Sequence, residues 1–435
     1  MATKSAAAKK APVKKAAVKK APAAPKKLRV AIIGCGGISQ THMAAYKEIP
    51  EVELVGFCDI NPAKLTEYQE KYGVKPEQCF EKWDDLFKAV KPDAVDICTP
   101  NGVHCPAALA AAAAGCHIMV EKPMAMNPDE CEQMIAAAKE HNVKLAVGFQ
   151  HRFNSKTDFL VNARDKGQFG NVMFVKCQAL RRRGIPNWGV FGQKELQGGG
   201  PMIDIGVHVV EMAHYFMGSP KPVAATGNCW TYLGNKQSDV MCAWPNWDYK
   251  TYTVEDLAIG HIRFDNGMIM QIESSFAAHI DKDEWRFTAM GDKGGCCWDP
   301  LQIFTDEAGA MVHPRLRRSR LEQGLGLFVR AQAAELGGRH PEGNSAACFR
   351  RGRAGGPEDS RRHLPFRGAG RQGSADQVSF QLIHQISRLR AGMFFIGRKF
   401  YEENCTGGRR PYSRSELREA SAGTFRRRSR LPLGP

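Results

Sequence analysis

Three groups of residues carry types and spacings suited to chemistry. The first is Glu121-Lys122-Pro123, which closes the apolar run His117 to Val120. A lysine at the carboxyl end of a strand in an open α/β sheet lies beside the crevice where such sheets bind ligands. Partial burial and nearby charge can lower its pKa and make it an acid/base. The second is Asp204-Ile-Gly-Val-His208, behind Gly198-Gly199-Gly200-Pro201. Pro201 fits the first turn of a helix, so Asp204 and His208 should share one face. A carboxylate beside an imidazole fixes its tautomer and raises its basicity. The glycine run implies that the backbone passes close to something. The third is Gly34-Cys35-Gly36-Gly37-Ile38-Ser39, between an apolar strand and a helix. There the first glycine permits a tight turn and the second lets a pyrophosphate approach the backbone. The third position needs a small residue, here Ser39. The helix N-terminus then faces the phosphates.

Asp59 ends the second strand, where a carboxylate accepts hydrogen bonds from ribose hydroxyls and repels a 2′-phosphate. No arginine follows it at once, so the expected cofactor is NAD rather than NADP. Thr99-Pro100-Asn101 should lie on the same rim and contact the nicotinamide half. For Asn101 and His104 a turn or helix-cap role is an equal alternative. Arg181, Arg182, Arg183 and Trp188 precede the glycine run in a loop that could cover the cleft. Arginines bind carboxylate or phosphate and tryptophan stacks on a sugar face, the alternative being a solvated basic loop.

The elements that must position these groups are legible as patterns. From Leu28 to Phe149, apolar strands at Leu28–Ile33, Val52–Cys58, Ala94–Cys98, His117–Val120 and Leu145–Phe149 alternate with helical segments. Such alternation implies a doubly wound parallel sheet of Rossmann type, an α/β domain over residues 28–149. Residues 150–313 read as an α+β domain with a large, mostly antiparallel sheet. Its helices are expected at Ser155–Lys166 and Pro201–Met217. Asp265-Asn266-Gly267 marks a hairpin between Thr253–Phe264 and Met268–Phe276.

The 435 residues carry a formal charge of +16, but unevenly. Residues 1–27 hold nine Lys and no acid, residues 28–313 sum to −8, and residues 314–435 sum to +15. The basic balance therefore describes the ends, not a nucleic-acid-reading domain. The Lys/Ala/Pro segment 1–27 is expected to be disordered, holding polyanions weakly or serving as a solubilising extension. Residues 314–435 are Arg/Gly-rich and poorly patterned, with one plausible helix at Val378–Tyr401. They read as a non-native end or a disordered basic tail. The 14 cysteines are scattered without a C-x-x-C pair, which points to a reducing cytoplasm with no disulfide framework and no metal site. No apolar run approaches a membrane span, and the N-terminus lacks the apolar core of a secretory signal.

Gly34–Ser39, Glu121-Lys122-Pro123 and Asp204-x-x-x-His208, in this order, resemble the Gfo/Idh/MocA family, the glucose–fructose oxidoreductase and inositol dehydrogenase group. The resemblance runs from about Leu28 to Val312. It implies a Rossmann domain, a C-terminal sheet domain that often mediates homo-oligomers, and NAD(P)-linked oxidation or reduction of a sugar or polyol carbon. Carried over by motif, Lys122 is the catalytic lysine, with Asp204 and His208 the acid/base pair. Glu121 and Pro123 shape the nicotinamide rim, and Gln150, His151 and Arg152 lie near the cleft. The N-terminal extension and the closing segment after about His313 depart from the family pattern, which bears on stability and assembly more than on chemistry.

The expected reaction oxidises a secondary alcohol to a ketone as NAD+ becomes NADH and one proton leaves. His208 is taken as the base, oriented by Asp204, while Lys122 hydrogen-bonds the reacting oxygen; the two roles are exchangeable. Three other readings stand beside it: an NAD-dependent glycosidase on the same fold, a nucleotide-sensing regulator, and a folding-deficient product.

Overall fold

The computed structural model describes residues 26–313. The Lys/Ala/Pro segment up to residue 25, residues 314–435 and the helix expected at Val378–Tyr401 lie outside the described residues. The first sheet contains β1 (Leu28–Ile33), β2 (Val52–Cys58), β3 (Cys79–Phe80), β4 (Ala94–Ile97), β5 (His117–Val120) and β6 (Leu145–Val147). All pairings are parallel, in the order β3-β2-β1-β4-β5-β6. This is the doubly wound order whose reversal between β1 and β4 opens a ligand crevice at the strands' carboxyl ends. Helices α1 (Gly37–Tyr46), α2 (Pro62–Tyr72), α3 (Trp83–Val90), α4 (Asn101–Ala113) and α5 (Pro128–Glu140) make the crossovers. Local chemistry fixes their ends. Asn61 caps α2 by accepting from the Ala63 amide, Pro62 sits in its first turn, and Gly73 closes it at φ +67°.

The strands are apolar because helices cover both faces; Ala94, Val95 and Ile97 of β4 are wholly buried. The pair β3 and α3 escapes the periodicity because β3 is two residues long and α3 begins with Trp-Asp-Asp. Helix α4 starts at Asn101, which makes Asn101 and His104 first-turn residues.

After α6 (Ser155–Asp165) comes the second sheet: β7 (Val172–Leu180), β8 (Pro222–Trp230), β9 (Leu257–Phe264), β10 (Ile269–Ser275), β11 (Glu284–Gly291), β12 (Gly294–Cys297), β13 (Gln302–Glu307) and β14 (Ala310–Val312). Their order is β14-β13-β12-β11-β7-β10-β9-β8, and the β7–β10 pair alone is parallel. The segment from Cys296 to Phe304 spans the end of β12 and the start of β13, with a turn between. Between β7 and β8 lie α7 (Lys194–Gln197), a π-turn (Met202–Gly206) and α8 (Val207–Phe216). Residues alternate along β10, so Met270 and Ile272 face the core shared with Leu160 of α6 and Val209, Met212 and Phe216 of α8. The opposite face is polar, with Lys176 paired to Glu273 at 2.8 Å and Arg286 to Glu284 at 3.1 Å.

Candidate active site

The glycine turn after β1 leaves no room for a side chain where it matters. At Gly34, φ is +94°, and a Cβ would fall 2.7 Å from the Cys98 carbonyl. Gly36 and Gly37 face open space at the N-terminus of α1. Ser39 is buried and donates to the Gly36 carbonyl at 2.8 Å while meeting the Tyr68 hydroxyl at 2.6 Å, the close packing that a small residue allows. Ile38 is partly exposed beside the turn. Asp59 accepts from the amides of Cys35 and Asn61, each at 2.8 Å. Its carboxylate therefore shapes the turn as well as facing the rim.

The rim is completed by loops after β4 and β5. The Thr99 hydroxyl is buried with no partner, as is the Gln150 amide oxygen in a short 3-10 turn, Gln150–Phe153. Such groups await a partner that the protein does not supply. Pro100 precedes α4, and the Asn101 amide donates to the Gln197 carbonyl at 2.9 Å. The His104 nitrogens lie 2.9 Å from the Pro123 and Thr99 carbonyl oxygens, and burial pushes the ring's pKa down. His104 thus braces two rim loops against each other.

Across the crevice, the Lys122 ammonium donates to the Asp204 carboxylate and to the Asp204 carbonyl, both at 3.0 Å. Both side chains are more than four-fifths buried. This corrects the expected pairing of Asp204 with His208. Asp204 lies in the π-turn ahead of α8, and its carboxylate is taken up by Lys122. His208 instead meets His151 edge-on at 5.2 Å and leans on Trp285 at 5.7 Å. Its Nδ1 is buried without a partner. Burial first, then the charge of Lys122, keeps the imidazole neutral well below the ordinary histidine range. His151 behaves alike, pushed down to about 4 by burial and Lys122.

The glycine run is likewise accounted for within the fold. A Cβ on Gly200 would sit 2.0 Å from the Glu255 carbonyl oxygen, and one on Gly198 3.0 Å from Met126. Glu255 accepts from the Gly200 amide at 2.9 Å, and Ser274 donates to the Pro201 carbonyl at 2.8 Å, fixing the start of the π-turn.

The arginines divide. Arg152 is engaged by Glu211 and lies over the Tyr215 ring at 4.7 Å, bracing α8. Arg183 reaches His279 at 2.9 Å on the exposed side. Arg181 is clamped between Trp244 at 5.0 Å and Phe276 at 5.6 Å, where its charge is felt by Asp204 and His208. Trp188 is half exposed and meets Trp244 edge-on at 4.7 Å. Trp244 and Trp285 went unnoticed in the sequence because an isolated tryptophan in a polar loop or on a strand carries no spacing signal.

Residues 28–149 match the model of an oxidoreductase family with an NAD-binding Rossmann fold, and residues 160–296 match the Gfo/Idh/MocA C-terminal domain. A D-glucoside 3-dehydrogenase of Escherichia coli is 39% identical over 291 residues, covering 66% of this chain and 81% of that one. The structure of an aldose-aldose oxidoreductase from Caulobacter crescentus, complexed with glycerol, is similar with a TM-score of 0.60 at 26% identity, over 73% of this chain and 92% of that one. A levoglucosan dehydrogenase in complex with NADH gives 0.61 at 25% identity, over 72% and 89%. Sequence, both sheets and the crevice agree: the chain belongs to the Gfo/Idh/MocA family of NAD(P)-dependent oxidoreductases.

Proposed function

We propose that this sugar or polyol oxidoreductase uses NAD in preference to NADP and oxidises a secondary hydroxyl of a sugar ring. The observation that carries the reading is Lys122 held by Asp204 at 3.0 Å across the crevice from a neutral, buried His208. The residues present fit a dinucleotide. The Gly34 turn and the bare Gly36 and Gly37 leave space at a helix N-terminus, and the Thr99 and Gln150 oxygens lack partners. Asp59 would receive the ribose hydroxyls and repel a 2′-phosphate. Bound nicotinamide supplies the hydride acceptor.

His208, neutral at pH 7 with an unpartnered Nδ1, is the assigned acceptor of the hydroxyl proton; because burial and Lys122 also weaken it as a base, the exchanged assignment with Lys122 as acceptor stands beside it. Lys122 donates a hydrogen bond to the same oxygen and stabilises the negative charge that develops there. Asp204 holds the ammonium in place. Arg181 and Trp188, with Trp244, line the sugar side. The relative's activity makes glucosides the first substrates to try.

The protein's proposed setting is the cytoplasm, as a homo-oligomer, with weak polyanion contact through its basic ends. Twelve free thiols among the described residues fit a reducing compartment. Among the described residues no helix is long and apolar enough to cross a membrane.

The test is NADH formation with NAD and a panel of methyl glucosides, aldoses and inositols. NADH in excess of enzyme, abolished in Lys122→Met while NADH binding persists, is the expected result. Normal turnover in that variant would overturn the assignment.

A further inference from the structure

Beneath the rim lies a buried charged network that the reaction above does not use. His42, on the inner face of α1, is fully buried. Its Nδ1 lies 2.8 Å from Asp96 of β4, and its Nε2 lies 3.0 Å from Glu121. Asp96 is itself fully buried and Glu121 nearly so. The other Glu121 oxygen accepts the Lys122 amide at 3.1 Å. The bare backbone of Gly148 presses on the Glu121 carboxylate, where a Cβ would come within 3.0 Å. An unbroken path of contacts therefore runs from the centre of the parallel sheet to the main chain of Lys122. It joins residues 54 and 79 positions apart.

Cys98 approaches the His42 Nδ1 at 3.7 Å, and Tyr46, one turn along α1, is directed at Asp96. Burial alone would strip the proton from this imidazole, but Asp96 and Cys98 outweigh it and hold His42 protonated well above the ordinary range. The ring is then a cation donating to two carboxylates. Burying such a triad costs several kcal/mol per ion in desolvation, and apolar side chains of similar volume commonly serve stability as well or better. The surrounding core is apolar: Met43, Ala94 and Met119 pack in the same buried cluster on this face of the sheet. A costly polar network leading to the catalytic lysine is therefore expected to act on that lysine.

We propose that His42 is a positioning residue for hydride transfer: its ring ties Asp96 to Glu121, and Glu121 fixes the main chain of Lys122 at the nicotinamide rim. The proposal rests on the assignment of Lys122 above. It assigns Glu121 a role through the lysine amide in addition to shaping the rim.

His42→Gln keeps a donor but loses the charge and one of the two bridging arms. Three measurements on the full chain test it: NADH affinity by fluorescence, kcat on the best sugar of the panel, and the rate of Lys122 acetylation by acetic anhydride, read by mass spectrometry. The labelling rate needs no substrate. In folded His42→Gln, NADH affinity should stay within about threefold, while kcat falls roughly tenfold to a hundredfold, as expected when a reacting group is displaced by a fraction of an ångström to an ångström. Lys122 acetylation should change at least about threefold, and His42→Gln/Glu121→Gln should be no worse than the poorer single variant, because the two act in series. Native labelling of Lys122 in folded His42→Gln, or additive losses in the double variant, would overturn the proposal. If no sugar is oxidised by the native protein, the substrate reading fails while the labelling still decides the positioning role. If His42→Gln does not fold, Glu121→Gln is read instead, and native labelling there overturns it equally.

Discussion

His151 should make the fold acid-sensitive by an amount that can be worked out. The ring sits in a box of aromatic edges, 5.2 Å from His208, 5.8 Å from Trp298 and 5.9 Å from Trp285. Burial and Lys122 push its pKa from 6.5 down to about 4. In that window the unfolded chain binds a proton that the native chain refuses. Stability is therefore full above about pH 6.5 and is lost as pH falls toward about 4, where the loss levels off. At 1.36 kcal/mol per pH unit the full loss is on the order of 3 kcal/mol, of which about 2 kcal/mol falls between pH 7.5 and pH 5. His42 has the opposite sign: its stabilisation is present below the ordinary histidine range and fades as pH rises through its elevated value. The perturbation is His151→Gln, which cannot titrate. Absolute stability will drop through lost packing, so the quantity to read is the change between the two pH values in each protein. Urea midpoints at pH 7.5 and pH 5 should show the native chain losing about 2 kcal/mol more than the variant. His208 remains in both proteins, so its own proton uptake largely cancels. Equal pH sensitivity in the two would mean that His151 is not held neutral by the fold, and the electrostatic account of the cleft would fail with it.

Gly34→Ala should weaken NADH binding more than tenfold, because φ +94° and the 2.7 Å approach to the Cys98 carbonyl both force the turn to move. Native affinity by fluorescence titration would contradict that. Asp256→Ala should cost about 3 kcal/mol or more. Its one carboxylate oxygen accepts the amides of Tyr232, Leu233 and Gly234 at 2.6–2.9 Å, and each donor stranded out of water costs about 1–3 kcal/mol. A chemical-denaturation loss under about 1 kcal/mol would show that water replaces the carboxylate. Trp188→Ala should raise KM for the sugar severalfold and leave KM for NAD unchanged; an unchanged sugar KM removes Trp188 from the substrate wall.

The parts of the site readable from the sequence were those whose chemistry is local. Gly34, Gly36 and Gly37 announce a turn because the backbone needs them within a few residues of one another. Lys122 stands out because it ends an apolar strand. The large sheet was legible from alternation and from the Asp265-Asn266-Gly267 turn, while β8 was not, since Ala224, Thr226 and Asn228 put small and polar residues on its outer face. The network of His42, Asp96 and Glu121 was invisible for a different reason. Asp96 is a lone acid in an apolar strand, His42 sits among the polar residues Ser39, Gln40 and Thr41, Glu121 follows β5, and only the packing of α1 across β4 and β5 brings the three together.

The partner of Asp204 bears directly on the proposed mechanism. In an α-helix, positions four apart stack, and Asp204 would have fixed the tautomer of His208. Asp204 lies instead in the π-turn over Met202–Gly206, and its carboxylate accepts from Lys122. Gly206 lets the turn pack closely on β10, since a Cβ there would lie 3.0 Å from the Ser274 hydroxyl. The consequence is a division of labour. The carboxylate anchors the cation, and the imidazole is left neutral with a nitrogen unclaimed by the protein. On the proposed roles the imidazole would take up the hydroxyl proton with no acid to raise its basicity. On the same reading the ammonium would supply the positive charge that the developing alkoxide requires.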